Sequence, residues 1–338
     1  MSTNSSSPVV QALIKAAFSM VTVTGVIGNI LVILVVLLNK PMRTPMNYLL
    51  VNLAISDMLL LVFFSPTFIF RGAYKHPTGR TGDVLCVLLT GESFAWMGGY
   101  ASAYFLVAIA IERYYAVTRP HRFGASITKH RLKLLVFLCW LFALCWNAIG
   151  FAVKRYDDKT GFCVARWPDP ENSFKIYSLL CLLVLGVIPI FTMSFLYSQV
   201  VVTLWCRRDV VQVNNQESER KRRMKATKMV LTVSAIYTLS WIPELTVFTI
   251  FAFAPRYVDI EIAYPASVAM VTVNSAVNPI IYTLHGERFR YFLKRLLFRC
   301  CRKKASELVP ASNHVAGWHS HMSATQFDEP NMSYDTRL

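Results

Sequence analysis

Apolar residues run along this chain in seven long stretches, near 9–38, 46–70, 84–115, 131–153, 174–205, 226–253 and 262–283, with short polar connections between them. Each is long enough to cross a bilayer as a helix, which takes about 20 predominantly apolar residues. A helix satisfies its own backbone hydrogen bonds in hydrocarbon, so long apolar stretches of this kind read as spans. The pattern therefore predicts an all-α membrane protein, a seven-transmembrane helix bundle over 9–285 with no room for a separate soluble domain. The opening MSTNSSSP carries no charge. A cleaved leader wants a basic start and an apolar core of about 7–15 residues. The first stretch is thus expected to be a true span, with residues 1–8 as a short polar terminus.

A different period follows the seventh stretch. In HGERFRYFLKRLLFRCC, Phe289, Phe292, Leu293, Leu296 and Leu297 recur at helical spacing, opposite Arg288, Arg290, Lys294, Arg295 and Arg299. This predicts an amphipathic eighth helix over 286–301, lying on the membrane surface. The remainder, 302–338, is polar and predicted to be disordered.

Charge fixes the expected orientation. An odd number of spans puts the two termini on opposite sides. The segments 39–45, 119–133, 207–228 and 286–304 hold 23 of the 35 Lys and Arg residues. Basic residues stay cytoplasmic, which predicts a multi-pass plasma-membrane protein with its N-terminus outside and its tail inside. Attraction to anionic lipid accounts for most of the +16 net charge and calls for no nucleic acid. The sequon at Asn4 falls outside and reads as a glycosylation site. Of the eight cysteines, Cys139, Cys145 and Cys181 lie in spans, where a free cysteine is usually a small core residue. Cys206 sits at an inner boundary. Cys86 and Cys163 both face the oxidising side, which favours a disulfide. Cys300 and Cys301 lie inside, just past the last span, as candidates for S-palmitoylation.

Several polar residues sit where lipid disfavours them. Asp57, in NLAISDMLL, lies deep in the second stretch, and Asn29, Ser102, Asn274, Ser275 and Asn278 fall at similar depth in others. An ionisable group there costs about 2.5–3.5 kcal/mol on insertion scales and is a functional candidate. Two readings stay open: separate interhelical hydrogen bonds of about 1 kcal/mol each, or a carboxylate ringed by oxygens that holds a monovalent cation. Prolines at 243 and 279, in YTLSWIPE and NSAVNPIIY, bend their helices and supply hinges.

Taken in chain order, these pieces resemble the class A (rhodopsin-like) G-protein-coupled receptors, most closely the neuropeptide receptor group, over residues 10–301. The matching residues are Gly28-Asn29, Asn52 to Asp57, Cys86, Glu112-Arg113-Tyr114, Trp140, Pro189, Tyr197, Trp241-Ile242-Pro243 and Asn278-Pro279-Ile280-Ile281-Tyr282. The resemblance implies that Glu112 restrains Arg113 until activation frees it to face a heterotrimeric G protein. It also implies that the sixth helix swings outward and that Tyr197 and Tyr282 stabilise the open state. Asp57, Ser102, Asn274, Ser275 and Asn278 match the family's pocket for an allosteric sodium ion beneath Trp241, and no other cofactor is expected. Departures from the family are Tyr237 and Ser240 beside the tryptophan, and His121 after Pro120. Arg223 stands where some members place an acid that gives the third-span arginine a second restraint, and its presence predicts raised basal activity. Cys86 stands 27 residues before Arg113, two more than usual, which predicts a bulge in the outer third span.

The ligand is the least constrained expectation. No acid stands at Ala95 or Ser93, where an amine receptor needs one, and VAMVTVNSAVNP has no lysine for retinal. The run from Cys163 through Arg166, Trp167 and Pro168 resembles the Cys-x-x-x-Trp-Pro pattern of tachykinin and neuropeptide FF receptors. Against this, HPTGRTGD lacks the Trp-x-Phe-Gly motif common among them. Glu92, Trp96, Arg166, Trp167 and Glu244 are the candidate pocket residues. Two carboxylates favour a basic ligand, such as a peptide with Arg near an amidated end; the alternative is that one pairs internally. A lipid or other small non-amine ligand is the rival within the family. A transporter is the rival outside it, disfavoured because no repeated halves are visible. No catalytic set stands out, so no enzyme is expected. Ser306, Ser312, Ser320, Ser323, Thr325 and Ser333 are candidate sites for a receptor kinase, whose product would recruit arrestin. Thr336 and Leu338 end the chain in the manner of a PDZ-domain ligand.

Overall fold

The structure, a computed structural model, describes residues 8–118, 127–169, 172–206 and 214–307. Asn4, His121, the tail serines and threonine from 312 onward, Thr336 and Leu338 lie outside the described residues, as do the side chains of Cys206, Cys300, Cys301 and Ser306. Among the described residues, seven helices are long and apolar enough to cross a membrane: Gln11–Leu38, Pro45–Phe68, Gly79–Thr118, Lys129–Val153, Ser173–Leu204, Arg223–Phe253 and Ile262–His285. They are called the first to seventh spans below.

Local chemistry sets several of their ends. The second span opens on Pro45, whose missing N–H costs nothing at a first helical position. Thr44 caps it by accepting the Asn47 N–H at 3.3 Å, and Thr128 caps the fourth span by accepting the Arg131 N–H at 3.4 Å. The third span is the most enclosed, lined by small buried residues such as Ala95, Ala101, Ala103, Ala108 and Ala110. Small side chains let neighbouring backbones approach closely, as membrane helices require for packing. Large apolar side chains such as Phe191, Phe195, Leu239 and Leu284 point away from the protein, the surface that lipid tails would cover.

The expected bulge is present in the third span. Its helix begins at Gly79, turns through a π-helical segment over Cys86–Thr90, and restarts at Ser93. The Gly91 N–H reaches back to the Cys86 carbonyl at 2.8 Å, and Glu92 takes a positive φ of 65°, a conformation most side chains avoid. The segment between the fourth and fifth spans is not helical. It forms an antiparallel hairpin of β1 (Lys154–Asp157) and β2 (Phe162–Ala165), in a register that sets Tyr156 opposite Cys163. A Cys86–Cys163 disulfide, with Cα atoms 5.6 Å apart, ties this hairpin to the third span.

Two expectations need correction. Cys139 and Cys181 are buried, but Cys145 is exposed on the fourth span, so it is no core residue. The helix after the seventh span runs over Glu287–Glu307, so residues 302–307 are helical rather than tail: LKRLLFRCCRKKASE contains no glycine or proline to stop it. Phe289 is buried and Phe292, Leu293 and Leu296 pack on the core, whereas Leu297 and Phe298 are exposed. The chain divides into two compact units, Met1–Leu296 and Leu297–Leu338, and the spans belong to the first.

Candidate functional site

Polar side chains gather at three levels along the spans. At the end farthest from the hairpin, Arg113 donates to its own neighbour: Nε lies 2.5 Å from Glu112 Oε2, and Nη2 lies 2.6 Å from Oε1. Both groups are sheltered, with side chains 13% and 3% exposed respectively. A two-point carboxylate–guanidinium pair is strong and directional. Removing one partner from such a sheltered pair strands the other charge, at a cost of about 3–5 kcal/mol. Tyr114 packs against Val117, Val200 and Leu204. Tyr197 is buried and accepts from Ser234 at 3.4 Å, while the Tyr282 hydroxyl is buried without a partner among the described residues. The Tyr282 ring meets Phe289, at the start of the following helix, at 6.4 Å. Lys225, near the start of the sixth span, pairs with Glu287 at 2.5 Å.

At mid-depth, Asp57 is fully buried and collects three donors. Ser102 and Ser275 donate to Oδ1 at 3.1 and 2.9 Å, and Asn278 donates to Oδ2 at 2.7 Å. None of these partners is basic. The amide oxygens of Asn274 and Asn278 are buried and accept nothing among the described residues. A carboxylate accompanied by amide oxygens without donors offers the all-oxygen surroundings that could hold a hard cation. Asn29 joins the same level by donating to the Ser275 carbonyl at 3.1 Å. Asn52 is used elsewhere, accepting the Trp140 indole N–H at 3.0 Å.

Toward the hairpin stands Trp241, buried between Tyr237, at 5.5 Å, and Trp96, at 6.4 Å between ring centroids. The Tyr237 hydroxyl donates to the Leu185 carbonyl at 2.6 Å, within a π-helical stretch of the fifth span. Pro243 lies inside the sixth-span helix two residues beyond Trp241, and Pro279 lies inside the seventh. Glu92 and Glu244 are both buried, and both are held by the seventh span. Tyr264 donates to Glu92 at 2.5 Å, the Trp96 indole donates to the same carboxylate at 3.3 Å, and Ser267 donates to Glu244. Internal pairing thus applies to both acids rather than one.

An aromatic line continues toward the hairpin. Trp96 stacks near Tyr100 at 6.5 Å, the Tyr100 and Tyr177 hydroxyls meet at 3.1 Å, and Trp167 packs on Tyr177 at 5.1 Å. Four of the five pocket candidates therefore belong to one connected set. Arg166 stands apart: it pairs loosely with Asp157 at 3.5 Å and lines a cavity of ≈ 580 Å³ with Asp83, Arg155, Tyr156 and Asp158. Its charge is satisfied within the hairpin, which adjacency to Trp167 in sequence did not reveal. Sequence reasoning missed Tyr264 and Ser267. Their three-residue spacing on one helix face was the available signal, since it lets two hydroxyls address two acids.

Residues 28–282 match the family described as 7 transmembrane receptor (rhodopsin family). The substance-P receptor of Mus musculus is 28% identical over 305 residues, covering 85% of this chain and 70% of that receptor. The neuromedin-K receptor of Oryctolagus cuniculus is 30% identical over 299 residues, covering 86% of this chain and 62% of its own length. The tachykinin-like peptides receptor 99D of Drosophila melanogaster is 28% identical over 310 residues, covering 86% and 58%.

Proposed function

The chain belongs to the rhodopsin family of seven-transmembrane receptors, which are not enzymes, and we propose that it binds an extracellular peptide and activates heterotrimeric G proteins. The observation that carries the signalling half is the sheltered Glu112–Arg113 pair, which holds a guanidinium folded back on its own helix. The hairpin end is the outer end and the Arg113 end is cytoplasmic, as the distribution of Lys and Arg supports. Ligand pressure on Trp96 and Trp241 bends the sixth span at Pro243 and moves its inner end outward. Arg113 then leaves Glu112 and, with Tyr197 and Tyr282, lines the opening that receives the G protein. A receptor kinase and arrestin would end the response at the tail.

Peptide rather than lipid is favoured by the similarity to receptors named for substance P, neuromedin K and tachykinin-like peptides. Glu92 and Glu244 supply the anionic contacts for a basic residue of that peptide, exchanging their helix-seven hydroxyls for it. Asp57, with Ser102, Asn274, Ser275 and Asn278, would hold a sodium ion. Bound there, the ion adds a positive charge that ties the second, third and seventh spans in their resting arrangement. The test is G-protein activation in cells expressing the full chain, challenged with amidated and basic peptides, with Arg113→Ala as control. A saturable response to one peptide class, absent in the control, is expected. Activation by neutral lipids and by no peptide would overturn the ligand assignment. Equal activation by Arg113→Ala would overturn the switch.

A further inference from the structure

We propose that the cavity where the hairpin meets the third and fourth spans holds the headgroup of a zwitterionic phospholipid, whose acyl chains lie on the fourth span. The proposal is independent of the peptide and of the signalling route; only the choice of leaflet rests on the orientation proposed above. The cavity, of ≈ 580 Å³, is lined by Asp83 of the third span, Ala152 of the fourth, and Arg155, Tyr156, Asp158 and Arg166 of the segment that forms the hairpin. Its volume falls in the range of about 300–1,000 Å³ that encloses small-molecule groups.

The charges of the lining are of both signs and largely unspent. Neither Arg155 nor Asp158 forms an ion pair among the described residues, and Arg155 donates only to the neighbouring Lys154 carbonyl, at 2.6 Å. Asp83 accepts the Tyr156 N–H at 2.9 Å and pairs with no basic side chain among the described residues. Arg166, though paired with Asp157 at 3.5 Å, keeps donors to spare, since a guanidinium has five. A lone anion placed here would meet two carboxylates, and a lone cation would meet two guanidinium groups. A phosphodiester joined to an ammonium a few bonds away satisfies both signs. The planar guanidinium forks suit the phosphate oxygens, and the carboxylates take the ammonium. Tyr156 adds an aromatic ring, which attracts an alkylated ammonium. That ring is held in place: it stacks on His76 at 4.4 Å and packs over Gly82, where a Cβ would lie 3.2 Å from it.

The place of the cavity supplies the second argument. Ala152, which lines it, is the last residue of an exposed stripe on the fourth span that includes Leu141, Cys145, Ala148 and Ala152. Residues three and four apart share one face of a helix, and an exposed apolar face of a span is covered by lipid tails. Val84, next to Asp83 on the third span, and Leu88 are exposed as well. A charged cavity at the top of a lipid-facing stripe fits a molecule with a polar head and apolar chains. A soluble zwitterion would use the charges and leave the stripe unused. Charged pockets between membrane helices hold lipid headgroups by the same pairing of charges. Bound there, the headgroup would link the third span, the fourth span and the hairpin, beside the tie that the Cys86–Cys163 disulfide already makes.

The test uses the full-length receptor, stripped of lipid in a maltoside detergent and titrated with single lipids of matched acyl chains. Native mass spectrometry counts the lipid retained, and the unfolding temperature is followed in parallel. Phosphatidylcholine and phosphatidylethanolamine should bind saturably and raise the unfolding temperature. Phosphatidylglycerol, which lacks the ammonium, and diacylglycerol, which lacks both charges, should bind at least about tenfold more weakly, having lost hydrogen bonds between charged groups. Arg155 and Asp158 are exposed, so Arg155→Gln and Asp158→Asn should leave the lipid-free unfolding temperature unchanged. Each should weaken phosphatidylcholine about tenfold. The headgroup series needs no substitution and stands even where a variant fails to fold. Equal binding of all four lipids, or unchanged phosphatidylcholine affinity in both variants, would overturn the proposal. Competition by glycerophosphocholine, the headgroup without chains, as tight as that of the lipid would overturn the membrane as its source.

Discussion

Replacing Gly98 and Gly99 in turn by alanine would put the same methyl group against two different parts of the bundle. A Cβ at Gly98 would lie 2.5 Å from the Ser56 carbonyl oxygen, and 2.9 Å from Leu59 Cβ and from the Leu60 nitrogen. Those atoms are second-span backbone, or attached directly to it, so the helices must separate by about 1 Å to regain ordinary contact near 3.5–4.0 Å. Overpacking of this kind costs about 1–3 kcal/mol. A Cβ at Gly99 would instead meet the edge of the Trp241 indole at 2.8 and 3.1 Å, with Leu60 Cδ1 at 3.4 Å. There the ring must yield away from the third span, and it sits on the span proposed to move in the stimulated receptor. If about 1 kcal/mol of that strain falls on the resting packing alone, the resting-to-active ratio moves about fivefold. Thermal unfolding of the purified variants and basal G-protein activation in cells separate the two cases. Gly98→Ala should unfold at a lower temperature, with basal signalling unchanged per folded receptor. Gly99→Ala should lose less stability and signal about fivefold more without ligand. Equal losses of stability, with basal signalling flat in both, would refute the assignment of Trp241 as the responding residue.

Lys225 and Glu287 offer a second handle on the same equilibrium, because they link the start of the sixth span to the following helix at 2.5 Å. Both side chains are more than half exposed, so the pair is worth at most about 1 kcal/mol. Lys225→Glu or Glu287→Lys should each raise basal activity up to about fivefold, and the double exchange should restore it; failure of the exchange to restore would show that the pair is incidental. Asp57→Ala leaves Ser102, Ser275 and Asn278 without their acceptor, and agonist affinity should cease to respond when sodium replaces potassium in the buffer. Glu92→Gln and Glu244→Gln should each reduce the potency of a basic peptide about tenfold or more, since hydrogen bonds to charged groups contribute about 1.5–3 kcal/mol. Potency unchanged in both would move the basic contact elsewhere.

The spans were readable because lipid demands one thing of every position in them, and that demand is written as length and polarity. Their limits were less so. The helices that carry the third and sixth spans begin before the apolar stretches, at Gly79 and Asn214, because a helix can continue into water without changing its backbone bonds. Asp57 and its serine and asparagine partners were legible, since each is polar where polarity is costly. Glu92 and Glu244 were legible as acids, but not as acids held by hydroxyls: Tyr264 and Ser267 are unremarkable until the seventh span is placed beside the third and sixth. Arg166 was misplaced because it follows the end of β2 and turns back to Asp157 of β1, while Trp167 packs on Tyr177, and adjacency in a loop does not fix a shared direction. The role of Cys145 was lost for a similar reason, as burial on a lipid-facing helix depends on which side meets protein.

The seventh span connects these levels. Tyr264 and Ser267 reach acids on the third and sixth spans, Ser275 and Asn278 reach Asp57 on the second, and the Ser275 carbonyl accepts from Asn29 on the first. Tyr282, beyond Pro279, then packs on Phe289 of the helix that follows. A ligand cation that displaces Tyr264 or Ser267 would free the outer end of this helix, while its middle stays held at Asp57. Pro279 lies on the far side of that anchor, so movement of the outer end alone leaves Tyr282 in place. Release at Asp57 is the second requirement, and a sodium ion there would oppose it. Signalling in this arrangement needs both events, which is why Glu244→Gln and Asp57→Ala should act through different observables: the first on ligand potency, the second on its dependence on sodium. A Glu244→Gln variant that abolished the sodium dependence while keeping potency would contradict the separation.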